Sequence, residues 1–298
     1  LLDAVLYAPD NTPGNKTLFS KSVARTLLAK IYAEKPLRDY TKVIQYCDEV
    51  KEDGFDLVDD FSDLFGMNAA GTDAKMRNTK ESILEAQFTS GAGNWCTWMF
   101  GRDLVNWNNN FTWAKWVTPS RDLISAFKQE GDEVRFKESI VYYDCNWSNY
   151  YPSDNYPFMY KCRSANSSII KYRYADVLLL KAEALIMQDT PDLEGAADII
   201  DEVRDRAKLG ALPTSVRSNK NVLLNALLKE RRLELAFEGQ RWFDLVRLDK
   251  VEEVMNAVYA KDSGRKAQIY TFDKNSYRLP IPQSVIDAND KIHQNPGY

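Results

Sequence analysis

Six of the seven tryptophans fall between residues 95 and 147: Trp95, Trp98, Trp107, Trp113, Trp116 and Trp147. Amide and charged side chains are interleaved with them, among them Asn94, Arg102, Asp103, Asn106 and Asn108. A flat apolar ring beside amide and guanidinium groups is what a sugar ring requires. The C–H face of the sugar stacks on the aromatic, and its hydroxyls bind the polar groups. The candidate ligand-binding residues are therefore Trp95 and Trp98 as stacking platforms, Trp107 and Trp113 as further rings, and Asn94 and Arg102 as hydrogen-bond donors. A second aromatic run follows, with Tyr142, Tyr143, Tyr150, Tyr151, Tyr156, Phe158 and Tyr160. For any one indole, packing between a loop-rich region and its support is the commoner role. The cluster as a whole, carried on irregular backbone, argues for some rings turned to solvent.

Other chemistries find less support. The chain has one histidine, His293, in a tail beside Asn295, Pro296 and Gly297, a poor setting for a Ser/His/Asp triad. Metalloprotease, nucleophile-elbow and phosphate-loop motifs are absent. Carboxylates are plentiful, but no pair stands out as an acid/base couple for glycoside hydrolysis. The expectation is no catalytic residue, no metal and no cofactor. Cys47, Cys96, Cys145 and Cys162 show no C-x-x-C spacing. A Cys145–Cys162 bridge is open, with free buried thiols the plainer reading. A net charge of −4 argues against a nucleic-acid partner, which normally needs a basic face.

These residues need a frame, and helical periodicity supplies one. Val23, Leu27, Leu28 and Ile31 recur at three- and four-residue steps, predicting a helix over 20–33 that Pro36 stops. Val43, Ile44, Cys47 and Val50 predict a second over 40–50, with Gly54 near its end. A similar pair returns as an apolar helix over 174–187 and another over 196–206. Ala29 and Ala182 stand where tetratricopeptide repeats need close helix packing, although the repeat's usual Trp, Gly and terminal Pro are missing. A generic helical hairpin fits as well. A third helical stretch runs over about 222–248. Between these scaffolds, 61–167 is broken repeatedly by Gly and Pro, with one helix predicted over 121–130 and a short strand over 82–88. Loops this long in a compact domain are usually functional.

The stretch 229–247 is dense in charge. Arg231/Glu234, Glu238/Arg241, Arg241/Asp244 and Asp244/Arg247 stand at i, i+3 spacing and can pair along a helix. Apolar residues on many sides imply that the charges are partly buried, an architectural clamp rather than an active site. Gly239 in the middle predicts a break or a close backbone contact.

Several ordered motifs resemble the SusD/RagB family of outer-membrane nutrient-binding lipoproteins of Bacteroidetes. They are the block Arg173–Ala184 (RYADVLLLKAEA), the block Lys229–Arg247 (KERRLELAFEGQRWFDLVR), the run Arg278–Pro282 and the ending Gln294–Tyr298. Upstream, Phe55–Val58 and Phe61–Phe65 follow the family pattern. The resemblance implies an all-α fold with tetratricopeptide-like hairpins and a large irregular, loop-rich lobe. It implies one SusD-like domain over 1–298, with helical scaffold at 1–60 and 168–250, the ligand-binding lobe at 61–167 and a C-terminal segment at 251–298. It implies a non-catalytic receptor at the cell surface that binds glycans and delivers them to a SusC-like TonB-dependent transporter in the outer membrane. The opening residues have no signal-peptide pattern and read as part of a helix. The family would place a further portion upstream, with a lipidated cysteine as anchor. The motif blocks are scaffold and carry no ligand residues. Two other functions remain open: a tetratricopeptide-type scaffold for a peptide or protein, and a glycosidase.

Overall fold

The computed structural model describes residues 1–89, 91, 93–94, 118–145, 150–261 and 271–298. Two compact units emerge, Leu1–Gln240 and Arg241–Tyr298.

The first unit opens with α1 (Leu2–Tyr7), α2 (Lys21–Ala33) and α3 (Tyr40–Glu52). Both longer helices start on caps legible in the sequence. The Ser20 side chain accepts from the Val23 N–H, and Asp39 accepts from the Lys42 N–H at 3.0 Å. Such caps satisfy backbone donors that the first turn leaves unpaired. After α4 (Ser62–Phe65) and strand β1 (Ser82–Ala86) come α5 (Arg121–Glu130) and α6 (Glu133–Ser139). Gly131, between those two helices, sits at φ +69°, where a side chain would be strained. Strands β2 (Ile140–Tyr143), β3 (Tyr156–Met159) and β4 (Ile169–Arg173) follow. The strands form two small antiparallel pairs. β1 lies on β4 with Ala86 opposite Ile169, and β2 lies on β3 with Tyr143 opposite Tyr156.

A second helical run completes the unit: α7 (Tyr174–Met187), α8 (Leu193–Arg206), α9 (Thr214–Arg217) and α10 (Lys220–Glu234). In α7, eleven of fourteen residues are buried, so this helix has no solvent face and must lie at the centre. Val43, Val50, Leu179, Ala182, Ile186, Ile200, Val203 and Leu227 share one core cluster, drawn from α3, α7, α8 and α10. Ala29 and Ala182 are completely buried in it, as close packing of helices requires. The stretch over 222–248 is not continuous. α10 ends at Glu234, and Phe237 (φ +66°) and Gly239 (φ +79°) interrupt the helical backbone before the next helix.

The second unit contains α11 (Arg241–Arg247), α12 (Val251–Lys261), a 3-10 turn (Lys274–Tyr277) and α13 (Gln283–Asp287). The two C-terminal motifs clasp each other. Gln294 exchanges two hydrogen bonds with the Ile281 backbone at 2.8 and 2.9 Å, Asn295 donates to the Leu279 carbonyl at 2.7 Å, and the Tyr298 hydroxyl donates to the Arg278 carbonyl at 3.0 Å. No helix among the described residues is long and apolar enough to cross a membrane.

Candidate functional site

The most densely connected feature of the first unit is a buried cluster of opposite charges. Glu234, in the last turn of α10, lies completely buried among three guanidinium groups. It accepts from Arg173 Nη1 at 2.5 Å, from Arg135 Nη1 at 3.0 Å and from Arg206 Nη2. Arg173, at the end of β4, also reaches Glu81 at 2.7 Å and grips Glu238 through Nε and Nη2 at 2.7 and 2.8 Å. Arg135 pairs with Asp132 and Glu230, both at 2.5 Å, and Arg206 with Glu81 at 2.9 Å. Lys161, just after β3, donates to the Glu234 carbonyl at 2.8 Å and to Glu238 at 2.5 Å, and its ammonium stands 4.7 Å from the centre of the Phe65 ring.

Burial and neighbouring charge compete at each group. For Glu234, burial opposes ionisation, but Arg206, Arg173 and Arg135 outweigh it and hold the carboxyl well below its usual range. Glu238 is lowered by Arg173 and Lys161 against the same burial cost. Burial wins at Asp132 and Glu230, whose carboxyls are raised. Lys161 is pushed down to about 8 by burial, despite Glu238. Beside this cluster, Asp176 binds Arg231 at 2.7 Å and Lys30 at 2.6 Å. Most of these charges are buried and all of them are paired, and the arrangement joins segments rather than offering a reactive group. The local Arg231/Glu234 pairing suggested by spacing gives way to long-range partners for both residues. The Asp244/Arg247 pair does form, at 2.9 Å.

The aromatic lobe meets this frame at two edges. One is Asn94, which is 4 % exposed and bonded on both ends of its amide. Nδ2 donates to the carbonyls of Ser164, Ala165 and Ser167 at 3.2, 3.1 and 2.8 Å, and Oδ1 accepts from Cys162 Sγ at 3.2 Å. Asn94 was expected as a donor to ligand. The structure corrects that: its N–H groups are committed to backbone oxygens in a buried turn. The other edge is 118–121. The Tyr151 hydroxyl donates to the Pro119 carbonyl at 2.8 Å, and Thr118 Oγ1 lies 3.2 Å from the Tyr156 hydroxyl. Arg121 stands over the rings of Tyr150 and Tyr151, at 4.2 and 4.5 Å from their centres, and donates to the Tyr150 carbonyl.

The second aromatic run is thus a packed wall. Tyr150, Tyr151, Tyr156 and Phe158 follow one another with ring centres 4.8, 5.6 and 5.4 Å apart. Tyr156 and Phe158 are buried, while Tyr142, Tyr143, Tyr150, Tyr151 and Tyr160 are half-buried. Trp95, Trp98, Arg102, Trp107 and Trp113 lie outside the described residues, as do Trp116 and Trp147. Cys145 and Cys162 are both buried, and no bridge joins them. His293 is exposed. Sequence reasoning missed Arg121 and Lys161. Their partners lie far off in sequence, 29 residues away at Tyr150 for Arg121 and 73 and 77 residues away at Glu234 and Glu238 for Lys161.

Residues 155–298 match the sequence model of the SusD family. Two SusD-like proteins of Formosa agariphila are similar to this chain. P38 is 43% identical over 99 residues, 31% of this chain and 19% of that protein. P2 is 36% identical over 143 residues, 46% of this chain and 27% of that protein. The chain therefore matches well under half the length of either relative. The fold is shared with surface glycan-binding protein A from Bacteroides thetaiotaomicron, whose structure was solved in complex with laminarihexaose. The TM-score is 0.73 at 20% identity, covering 97% of this chain and 66% of the other. Arg173, Glu230, Glu234 and Glu238 of the ion cluster, and the C-terminal clasp, lie within the matched span. On these grounds residues 155–298 are SusD-family sequence, and the chain shares the fold of SusD-like structures.

Proposed function

We propose that this protein binds glycans at the cell surface without cleaving them. It hands them to a SusC-like TonB-dependent transporter in the outer membrane, to which a lipid anchor holds it. The observation that carries the reading is the SusD-family match combined with the Trp- and Asn-rich run that begins at Trp95, the side-chain combination that saccharides require. The fold shared with a protein solved in complex with laminarihexaose supports the same ligand class. The lobe at 61–167 is the ligand-binding part. Trp95 and Trp98 are its stacking platforms, Trp107 and Trp113 contribute further rings, and Arg102 donates to sugar hydroxyls. The buried, mutually neutralised charges of the scaffold fit a frame that holds this lobe rather than a hydrolytic centre.

The test is an oligosaccharide array that includes laminarihexaose, followed by calorimetry on Trp95→Ala and Trp98→Ala. Loss of a stacked ring should weaken binding by about tenfold or more, taking a stacked aromatic at about 1–2 kcal/mol, while Tm stays close to wild type. A large fall in Tm with unchanged affinity would show that the rings are core. Capture of peptides with no oligosaccharide retained would favour a peptide-binding scaffold. Release of sugar products by the purified protein would make it a glycosidase.

A further inference from the structure

Where α3, α7 and α8 meet, they leave a notch of about 40 Å³, room for roughly three groups the size of a water molecule. Val177 and Leu178 of α7 and Ile199 of α8 give it apolar walls. Tyr174, the first residue of α7, also lines it. The residue is 2% exposed, yet its hydroxyl makes no hydrogen bond with any described residue. Buried polar groups ordinarily have a partner, so this hydroxyl is left for an occupant of the notch.

The remaining lining is charged. Asp48 of α3 already holds Lys181 of α7, at 2.5 Å. Glu202 of α8 and Lys51 of α3 have no ion-pair partner among the described residues. Burial raises the pKa of the Tyr174 hydroxyl, and the carboxylates of Glu202, Asp56 and Asp48 raise it further. Burial also raises the Glu202 carboxyl; Lys51 lowers it and Asp56 raises it. The potential at the hydroxyl is thus negative, which attracts a cation and repels an anion. Among the described residues, no three His, Cys, Asp or Glu side chains are grouped to hold a metal ion, which points to an organic cation.

We propose that this notch binds a primary ammonium group carried on a short alkyl stem. The ammonium donates to the Tyr174 hydroxyl oxygen and to the Glu202 carboxylate, while the stem lies on Val177, Leu178 and Ile199. Lys51 competes with the ligand for Glu202. The site belongs to the helical scaffold and does not depend on the saccharide reading.

The test is an NMR titration of the isotope-labelled full chain at pH 7 and fixed ionic strength. The probe is ethylammonium chloride, and ethanol is the neutral probe of equal size. Ethylammonium should shift amide signals of α3, α7 and α8 with a Kd on the order of 1 mM, near the limit for so small a ligand. Ethanol should leave them unmoved. Glu202→Gln should weaken binding about tenfold or more, and Tyr174→Phe about three- to tenfold. Lys51→Ala should tighten it by about threefold. Glu202 is exposed and Tyr174→Phe keeps the ring, so Tm should stay near wild type in these variants. The proposal is overturned by equal shifts with ethanol, by no saturable shift with ethylammonium, by wild-type affinity in Glu202→Gln, or by weaker binding in Lys51→Ala. Glucosamine and N-acetylglucosamine then separate two sources of the ammonium. Binding of glucosamine alone of the two supports an amino sugar, and binding of neither beside ethylammonium supports an unbranched amine.

Discussion

Replacing Glu234 by glutamine tests whether burial or partner number decides what an ion pair does in this protein. Glu234 has three guanidinium partners and no solvent exposure. Arg217 has three carboxylate partners, Glu194, Asp198 and Asp201, but the first two side chains are 72% and 69% exposed. Removing one member of a buried pair costs about 3–5 kcal/mol, because the remaining charge is left uncompensated. At Glu234 each arginine keeps another carboxylate: Asp132 and Glu230 for Arg135, Glu81 and Glu238 for Arg173, Glu81 for Arg206. The lower end of that range applies, about 3 kcal/mol, which is a large share of the stability of roughly 5–15 kcal/mol typical of a folded protein. Glutamine also points an NH₂ at a guanidinium, a donor against a donor. Arg217→Ala, by contrast, should cost less than about 1 kcal/mol, since water screens Glu194 and Asp198.

The assay is urea unfolding at pH 7, followed by far-UV circular dichroism, with midpoints compared at a common slope. Glu234→Gln should lower the midpoint clearly while Arg217→Ala barely moves it. If Glu234→Gln stays within about 1 kcal/mol of wild type, or if the two variants cost the same, the argument from burial is wrong.

Two further outcomes follow from the same structure. Asp176 is held far below the ordinary carboxylate range by Lys30 and Arg231, which outweigh its burial; its folded pKa is depressed, so its contribution is full above about pH 4 and is lost as the pH falls further, and Asp176→Asn should show a shallower acid loss of stability than wild type over pH 5–2, with equal slopes in pH-stepped urea titrations contradicting this. Ala182 is fully buried at the centre of α7, so Ala182→Leu should overpack the core and cost about 1–3 kcal/mol, whereas a neutral result in thermal unfolding would mean that the helices are not in close contact there.

The frame was legible where periodicity and punctuation agreed. The helix over 174–187 has the predicted bounds, and α2 starts one residue after its Ser20 cap. The helix expected over 196–206 begins a turn earlier, at Leu193 on an Asp192 cap, because Glu194 and Gly195 carry no apolar signal. The strand pair β2/β3 was not seen. All four residues of β3 are buried, so it shows no alternation, and Pro157 within it argues against a strand. The ion cluster was legible as charge but not as connectivity. Helical spacing shows neighbours three residues apart, while the partners of Glu234 lie 99, 61 and 28 residues away. Asn94 shows the same limit: beside a tryptophan it has the composition of a ligand donor, and only the turn at 162–167, far off in sequence, shows where its hydrogens go.

The expected cost at Glu234 does not mean that the cluster is what holds the chain folded. A buried ion network contributes little more than well-packed apolar residues of the same volume, because desolvation cancels most of the attraction. Stability alone is thus a weak account of so many charges at one joint. Their placement offers a better one. Arg135 in the first turn of α6, Lys161 after β3 and Arg173 at the end of β4 converge on the last turn of α10 and on Glu238 just beyond it, while Asp132 before α6 and Glu81 before β1 bind the arginines from the other side. These are the points where the loop-rich segments enter and leave the helical frame. An apolar contact tolerates sliding by a residue, whereas a guanidinium bonded to two carboxylates in fixed directions does not. A binding surface on long loops loses affinity to whatever conformational freedom must be frozen on contact. Under the proposed glycan-binding reading, fixing the roots of those loops with directional bonds would remove part of that loss before a sugar is bound.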